Sequence, residues 1–118
     1  LLRRSDFISL HSPLTGDSRH MIGEAQFALM KPTAVLINTA RGGLIDEQAL
    51  YRALAEKRIW GAGIDVFEEE PPLNRKLLEL DNIVVGSHCA ASTVQAIENM
   101  GVMAAENVIR MLLEEGCA

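Results

Sequence analysis

Four short apolar runs recur along the chain, and each is followed by a segment with a helical pattern. They are Phe7-Ile8-Ser9-Leu10, Ala34-Val35-Leu36-Ile37, Trp60-Gly61-Ala62-Gly63-Ile64-Asp65-Val66 and Asn82-Ile83-Val84-Val85-Gly86. Runs of this length bounded by turn residues read as strands, here 6–11, 34–38, 60–66 and 82–86. Strands that alternate with helices give an α/β class with a parallel sheet. The run at 34–37 lacks polar alternation, which predicts a sheet covered on both faces. Right-handed crossovers bring every strand C-terminus to one edge. In open α/β sheets that edge is where ligands bind.

Between the strands, Glu24–Met30 reads as a helix stopped by Pro32, because the residue before a proline leaves helical geometry. A second helix runs from Glu47 to about Lys57. Asp46 is its N-cap, and Ile45 and Leu50 stand at staple positions. Leu50, Ala53 and Leu54 form its apolar stripe. A short helix is expected over Arg75–Leu80. The last helix is expected from about Thr93 to Glu115, with Ser92 and Gln95 at capping-box spacing. Ile97, Met100, Ala104, Val108, Met111 and Leu112 recur along it at the helical period.

Composition narrows the function classes. With 118 residues the chain supports one core. A net charge of −5 without a basic run argues against a nucleic-acid partner. No apolar stretch approaches membrane-spanning length. The opening Leu1-Leu2-Arg3-Arg4 has no initiator Met and reads as a fragment or a processed chain, which leaves a lost leader open. Two distant cysteines, Cys89 and Cys117, suit a reducing cytoplasm. Three histidines, His11, His20 and His88, leave zinc without an ordinary ligand set, so no metal is expected.

The ligand edge collects chemistry. Arg41 lies in Asn38-Thr39-Ala40-Arg41-Gly42-Gly43-Leu44-Ile45-Asp46, where a strand ends and a helix begins. Its two glycines let backbone approach something large and flat. Asp65 ends the third strand, Glu70 lies in the acidic loop after it, and His88 follows the fourth. Each has a plain alternative: a solvated or capping arginine, a loop acid, a charged surface, a satisfied histidine. Their arrival from separate strand ends at one edge favours a joint site facing one crevice. Cys89 beside His88 could suggest a thiol–imidazole pair, but the expectation is against it, since neighbours on an extended segment point opposite ways. His11 and His20 read as structural or surface residues, and the methionines as core filler. Gly61-Ala62-Gly63 begins like a dinucleotide fingerprint, but Val66 breaks the pattern and the run lies within a strand.

Asn38 to Asp46, Gly63-Ile64-Asp65-Val66-Phe67-Glu68-Glu69-Glu70-Pro71 and His88-Cys89-Ala90-Ala91-Ser92-Thr93 resemble three signatures of the D-isomer-specific 2-hydroxyacid dehydrogenases. Phe7 to Thr15 resembles a fourth segment of that family. The run after His88 is most similar to the phosphoglycerate dehydrogenase branch. The resemblance implies a Rossmann-like parallel sheet with flanking helices, the second half of an NAD-binding domain only. Residues 1–118 would be that partial domain, with strand/helix units to about residue 91. Residues 92–118 would be a long helix leading back toward a substrate domain. The glycine fingerprint and the ribose-binding acid are expected before residue 1. The isolated chain is therefore expected to be inactive and to bind NAD weakly or not at all.

The same resemblance assigns roles. Arg41 matches the arginine that holds the substrate carboxylate, Glu70 the catalytic glutamate and His88 the acid/base histidine. Asp65 matches the acid near the nicotinamide. Ser12, Thr39, Ala40, Arg41, His88, Ala90 and Ala91 match cofactor contacts. NAD is implied, with NADP open, and a homodimer is implied for the full-length protein. A formate-specific relative would carry glutamine where Glu70 stands, so a 2-hydroxy or 2-keto acid is implied. D-3-phosphoglycerate is the first choice. Glyoxylate, hydroxypyruvate or D-lactate-type substrates are alternatives, as is a non-catalytic NAD-sensing corepressor-like protein. Physically, a guanidinium grips a carboxylate through two parallel hydrogen bonds. An imidazole beside a carboxylate can give and reclaim the hydroxyl proton.

Overall fold

The computed structural model describes residues 1–114 of the chain. Glu115 and Cys117 therefore lie outside the described residues. The chain divides into two compact units, the first Leu1–His88 and the second starting at Cys89.

The first unit is built on a four-stranded, all-parallel sheet in the order β1-β2-β3-β4, with β1 Phe7–Leu10, β2 Val35–Asn38, β3 Gly61–Ile64 and β4 Ile83–Val85. Each expected strand is present and shorter than its expected span. Phe7 pairs with Val35 and Val35 with Gly61, so every strand lies beside the one before it in sequence. The helices are α1 (Glu24–Phe27), α2 (Glu47–Ala55) and α3 (Arg75–Leu78).

Buried residues alternate with exposed ones in β1 and with half-buried ones in β2. Ile8, Leu10, Leu36, Ala62 and Ile64 meet Phe27, Leu50, Leu54 and Leu77 in one core. On the opposite face Phe7 is 72% exposed and Val84 75%. The expectation of a sheet covered on both faces is thus corrected for this unit. Consecutive right-handed crossovers that step always in the same direction put every connecting helix on the same side. Val35 and Ile37 stay apolar on a face that none of these helices covers.

Local signals set the helix ends. Asp46 caps α2, its Oδ1 accepting from the backbone N–H of Gln48 at 2.9 Å and of Ala49 at 3.0 Å. Ile45 and Leu50 are both buried in the core, as the staple requires. The helix stops at Ala55, before the expected Lys57, because Lys57 turns left-handed at φ +55. The Lys57 N–H then donates to the Leu54 carbonyl and the Arg58 N–H to that of Ala53, a Schellman closure. α1 also ends early. Leu29 and Met30 donate to Gln26 and Phe27, three residues back, so the last turn tightens.

The second unit contains α4, Val94–Glu114. Thr93 is its cap, accepting from the Ala96 N–H at 3.1 Å. The Ser92–Gln95 capping box does not form. Gln95 instead donates to the Asn99 side chain one turn later, at 3.0 Å. Ile97, Met100, Val108, Met111 and Leu112 are exposed along this helix.

Candidate active site

The turn that carries Arg41 is wound on one buried amide. Asn38 closes β2 and is fully buried. Its Nδ2 donates to the Arg41 carbonyl at 2.9 Å, and its Oδ1 accepts from the Ala40 N–H at 3.1 Å. A buried amide is tolerated only when its polar groups are paired, so the side chain fixes the turn it satisfies. Arg41 itself is extended and exposed, with Nη1 donating to the Ala40 carbonyl at 2.6 Å.

A single 3-10 turn, Gly42–Leu44, follows. A Cβ at Gly42 would lie 1.9 Å from the carbonyl carbon of Phe67 and 2.4 Å from the nitrogen of Glu68. What comes close to this glycine is the protein's own backbone. The expectation that both glycines make room for a ligand is corrected by that contact, and Gly43 faces the Leu14 side chain.

Asp65 directly follows β3 and is buried. Its Oδ1 lies where a Cβ on Gly86 would be only 2.1 Å away, so a side chain there would have to displace the Asp65 carboxylate. The His88 N–H donates to the Asp65 carbonyl at 2.9 Å, which latches the end of β4 onto the end of β3. His88 takes a left-handed φ of +60. Its Nδ1 meets Glu70 Oε2 at 2.9 Å and Oε1 at 3.1 Å. Glu70 Oε1 also accepts from the Phe67 N–H at 3.1 Å. The hydrogen bond from His88, and after it the one from Phe67, hold the Glu70 carboxyl below the usual carboxylate range. A carboxylate at Nδ1 keeps a proton there, so the proton the ring exchanges is the one on Nε2. Both side chains are about half exposed, at 52% and 40%, and open to a reactant.

The four residues expected to face one crevice border two neighbouring hollows of the surface. Asp65, Glu70, Gly86 and His88 border a cavity of about 300 Å³ floored by Phe67, Leu78 and Val85. Arg41 borders another, of about 540 Å³, with His11, Ser12 and Ala40. Thr39 is exposed beside that second cavity's Ala40. Ala90 and Ala91 form an exposed turn in the second unit, closed by the Ser92 N–H on the Cys89 carbonyl at 2.9 Å. His11 bonds Ser9 at 2.8 Å, and His20 bonds Glu68 at 2.8 Å. Among the described residues no cluster of His, Cys, Asp and Glu could hold a metal ion, and no helix is long and apolar enough to cross a membrane.

Two things escaped the sequence reading. Asn38 was legible as a polar residue closing an apolar strand, yet nothing nearby announced what it holds. Glu68 was hidden in an acidic run, and its partners stand nearly fifty residues away.

The sequence profile of the D-isomer specific 2-hydroxyacid dehydrogenase NAD binding domain matches residues 1–90. The chain belongs to that family. It is 52% identical over 115 residues to a D-3-phosphoglycerate dehydrogenase of Methanocaldococcus jannaschii, covering 98% of this chain and 22% of that protein. It is 53% identical over 109 residues to a glyoxylate reductase of Thermococcus litoralis, covering 92% of this chain and 33% of that protein. A D-isomer specific 2-hydroxyacid dehydrogenase of Lactobacillus delbrueckii, solved in its NAD-complexed form, superposes with a TM-score of 0.82 at 34% identity, over 98% of this chain and 39% of that one. The chain thus spans about a fifth to a third of these two curated relatives. The sheet is Rossmann-like, and the donor set fits NAD. The buried Asp65 carboxylate suits a cationic nicotinamide ring. Ser12 and Ala40 offer a hydroxyl and a small side chain beside Arg41.

Proposed function

We propose that this chain supplies the reacting groups of an NAD-dependent D-2-hydroxyacid dehydrogenase, and that D-3-phosphoglycerate is its first-choice substrate. The observation that carries this reading is the Glu70–His88 pair, with Nδ1 of the imidazole held by the carboxylate at 2.9 Å. NAD, when bound, supplies or accepts the hydride. His88 gives its Nε2 proton to the carbonyl oxygen as negative charge develops there, and reclaims it from the hydroxyl in the oxidative direction. Glu70 accepts the Nδ1–H of His88 and so orients the ring. Arg41 grips the substrate carboxylate and so fixes which carbon is presented. Asp65 favours the cationic form of the nicotinamide.

The small-residue-Ser-Thr run after His88 and the M. jannaschii relative support phosphoglycerate. The comparably similar T. litoralis relative favours a second reading, glyoxylate reduction. The segment from residue 92 is read as the return toward a substrate domain. The full-length protein is read as a cytoplasmic homodimer.

The test uses the full-length protein, NADH, and a panel of 3-phosphohydroxypyruvate, hydroxypyruvate, glyoxylate and pyruvate. Arg41→Ala should lower kcat/KM at least about tenfold, or about 1.4 kcal/mol. His88→Asn should lower kcat by about 10² to 10⁴. Reduction of no panel member, with NADH still bound, would favour the NAD-sensing alternative. Retention of activity by Arg41→Ala within tenfold would remove the role given to Arg41.

A further inference from the structure

Besides the Glu70–His88 pair, a further group of side chains converges on the same acidic loop. Glu68 Oε1 accepts from Arg19 Nη2 at 2.7 Å and meets His20 Nε2 at 2.8 Å. The Glu68 N–H donates to Glu47 Oε1 at 2.8 Å, in the first turn of α2. Glu68 is therefore tethered through both its side chain and its backbone.

The tethers lead back to the Arg41 turn. The His20 N–H donates to the Gly43 carbonyl at 2.8 Å and the Ile22 N–H to that of Leu44 at 3.1 Å. The Asp46 N–H donates to the Ile22 carbonyl at 3.0 Å, and Ile22 bridges Ile45 in parallel. Residues 19–22 thus run beside the strand-to-helix turn just after Arg41 while their side chains hold the loop of Glu70. His20 does this from a left-handed φ of +52, uncommon for a residue with a side chain. Glu70, two residues on, is closed onto the same loop by the Phe67 N–H.

We propose that Arg19 and His20, acting through Glu68, are positioning residues that set where the Glu70 carboxylate meets His88 relative to Arg41. The proposal rests on the dehydrogenase reading above. An isolated exposed ion pair contributes almost nothing. Here one carboxylate oxygen takes two donors, its backbone takes a third tether, and all three act on a turn whose neighbour does the chemistry.

The test compares Arg19→Ala, Glu68→Gln, their double variant and Arg19→Lys in the full-length protein. Lys31→Ala is the control, because it breaks the Lys31–Asp6 pair at 2.9 Å beside the strand N-termini. Two readouts are taken: kcat/KM against pH for 2-keto acid reduction, and the titration of the Glu70 carboxyl by carbon-13 NMR. Arg19→Ala and Glu68→Gln should each lower kcat/KM about tenfold or more. Both should move the Glu70 titration upward, toward an ordinary carboxylate. The double variant should be no worse than either single one, since the pair acts as a unit. Arg19→Lys should recover most of the loss, and Lys31→Ala should show none. Losses no larger than that of Lys31→Ala, or losses with the Glu70 titration unmoved, overturn the proposal. If the wild-type protein reduces no 2-keto acid yet Arg19→Ala still moves the Glu70 titration, the positioning role stands and the dehydrogenase reading falls.

Discussion

Adding one methyl group at Gly42 tests how tightly the Arg41 turn and the Glu70 loop are locked together. A Cβ there would stand 1.9 Å from the Phe67 carbonyl carbon, 2.1 Å from its oxygen and 2.4 Å from the Glu68 nitrogen. All three are backbone atoms, so no rotamer change relieves the overlap. Reaching ordinary contact at about 3.4 Å requires the two loops to part by about 1.5 Å at this point. In an unstrained site Gly→Ala would stabilise by about 0.4–1 kcal/mol through the unfolded chain. Overpacking costs about 1–3 kcal/mol, so the expected sign for Gly42→Ala is destabilising. Activity should suffer more, because a misplacement of about 1 Å between catalytic groups can lose about 10² in rate. The assay is urea unfolding together with kcat/KM for 2-keto acid reduction in the full-length protein. Gly16→Ala is the control, since nothing lies within 4 Å of a Cβ there. If Gly42→Ala keeps kcat/KM within about threefold, well under that 10² loss, the contact does not set the site and the reasoning fails.

Other perturbations have equally definite outcomes. Asp46→Ala removes both N-cap bonds of α2 and should lower stability by about 1 kcal/mol in chemical denaturation. Leu50→Ala, at a fully buried core position, should cost about 2–5 kcal/mol by the same measurement. Glu70 titrates lower in the folded protein than in the unfolded chain, chiefly through His88. Its contribution is therefore present above the ordinary carboxylate pKa and lost as pH falls through the folded value. The stability difference between wild type and Glu70→Gln should accordingly shrink on acidification from pH 7, and a difference constant with pH would contradict the pairing.

Much of this arrangement was legible before any coordinates. The apolar runs marked all four strands, because each is short, apolar and bounded by turn residues. Asp46 announced its helix through a side chain that bonds only two and three residues away. Arg41, Asp65, Glu70 and His88 could be placed at one edge because strand polarity alone dictates it. What the sequence concealed depends on distant pairing. Glu68 meets Arg19 across 49 residues. Gly42 is a glycine because of Phe67, not because of its own turn. Thr93 rather than Ser92 caps α4, a one-residue choice between two hydroxyl residues that pattern alone does not make. The uncovered sheet face was hidden because Val35 and Ile37, which lie on it, are as apolar as Ala34 and Leu36 on the covered face. Only the strand order reveals that the helices of this unit share the opposite face.

That strand order also bears on how the chain is made. Each strand of the sheet pairs with its immediate predecessor in sequence, from β1 through β4. Among these four strands, none waits for a partner that follows a later one in sequence. Synthesis can therefore lay the sheet down in order, each emerging strand adding to the edge just exposed, with loop closures kept local. His88, whose backbone latches onto Asp65, comes at the end of that sequence. Glu70 and His88 thus meet only after β4 has joined β3.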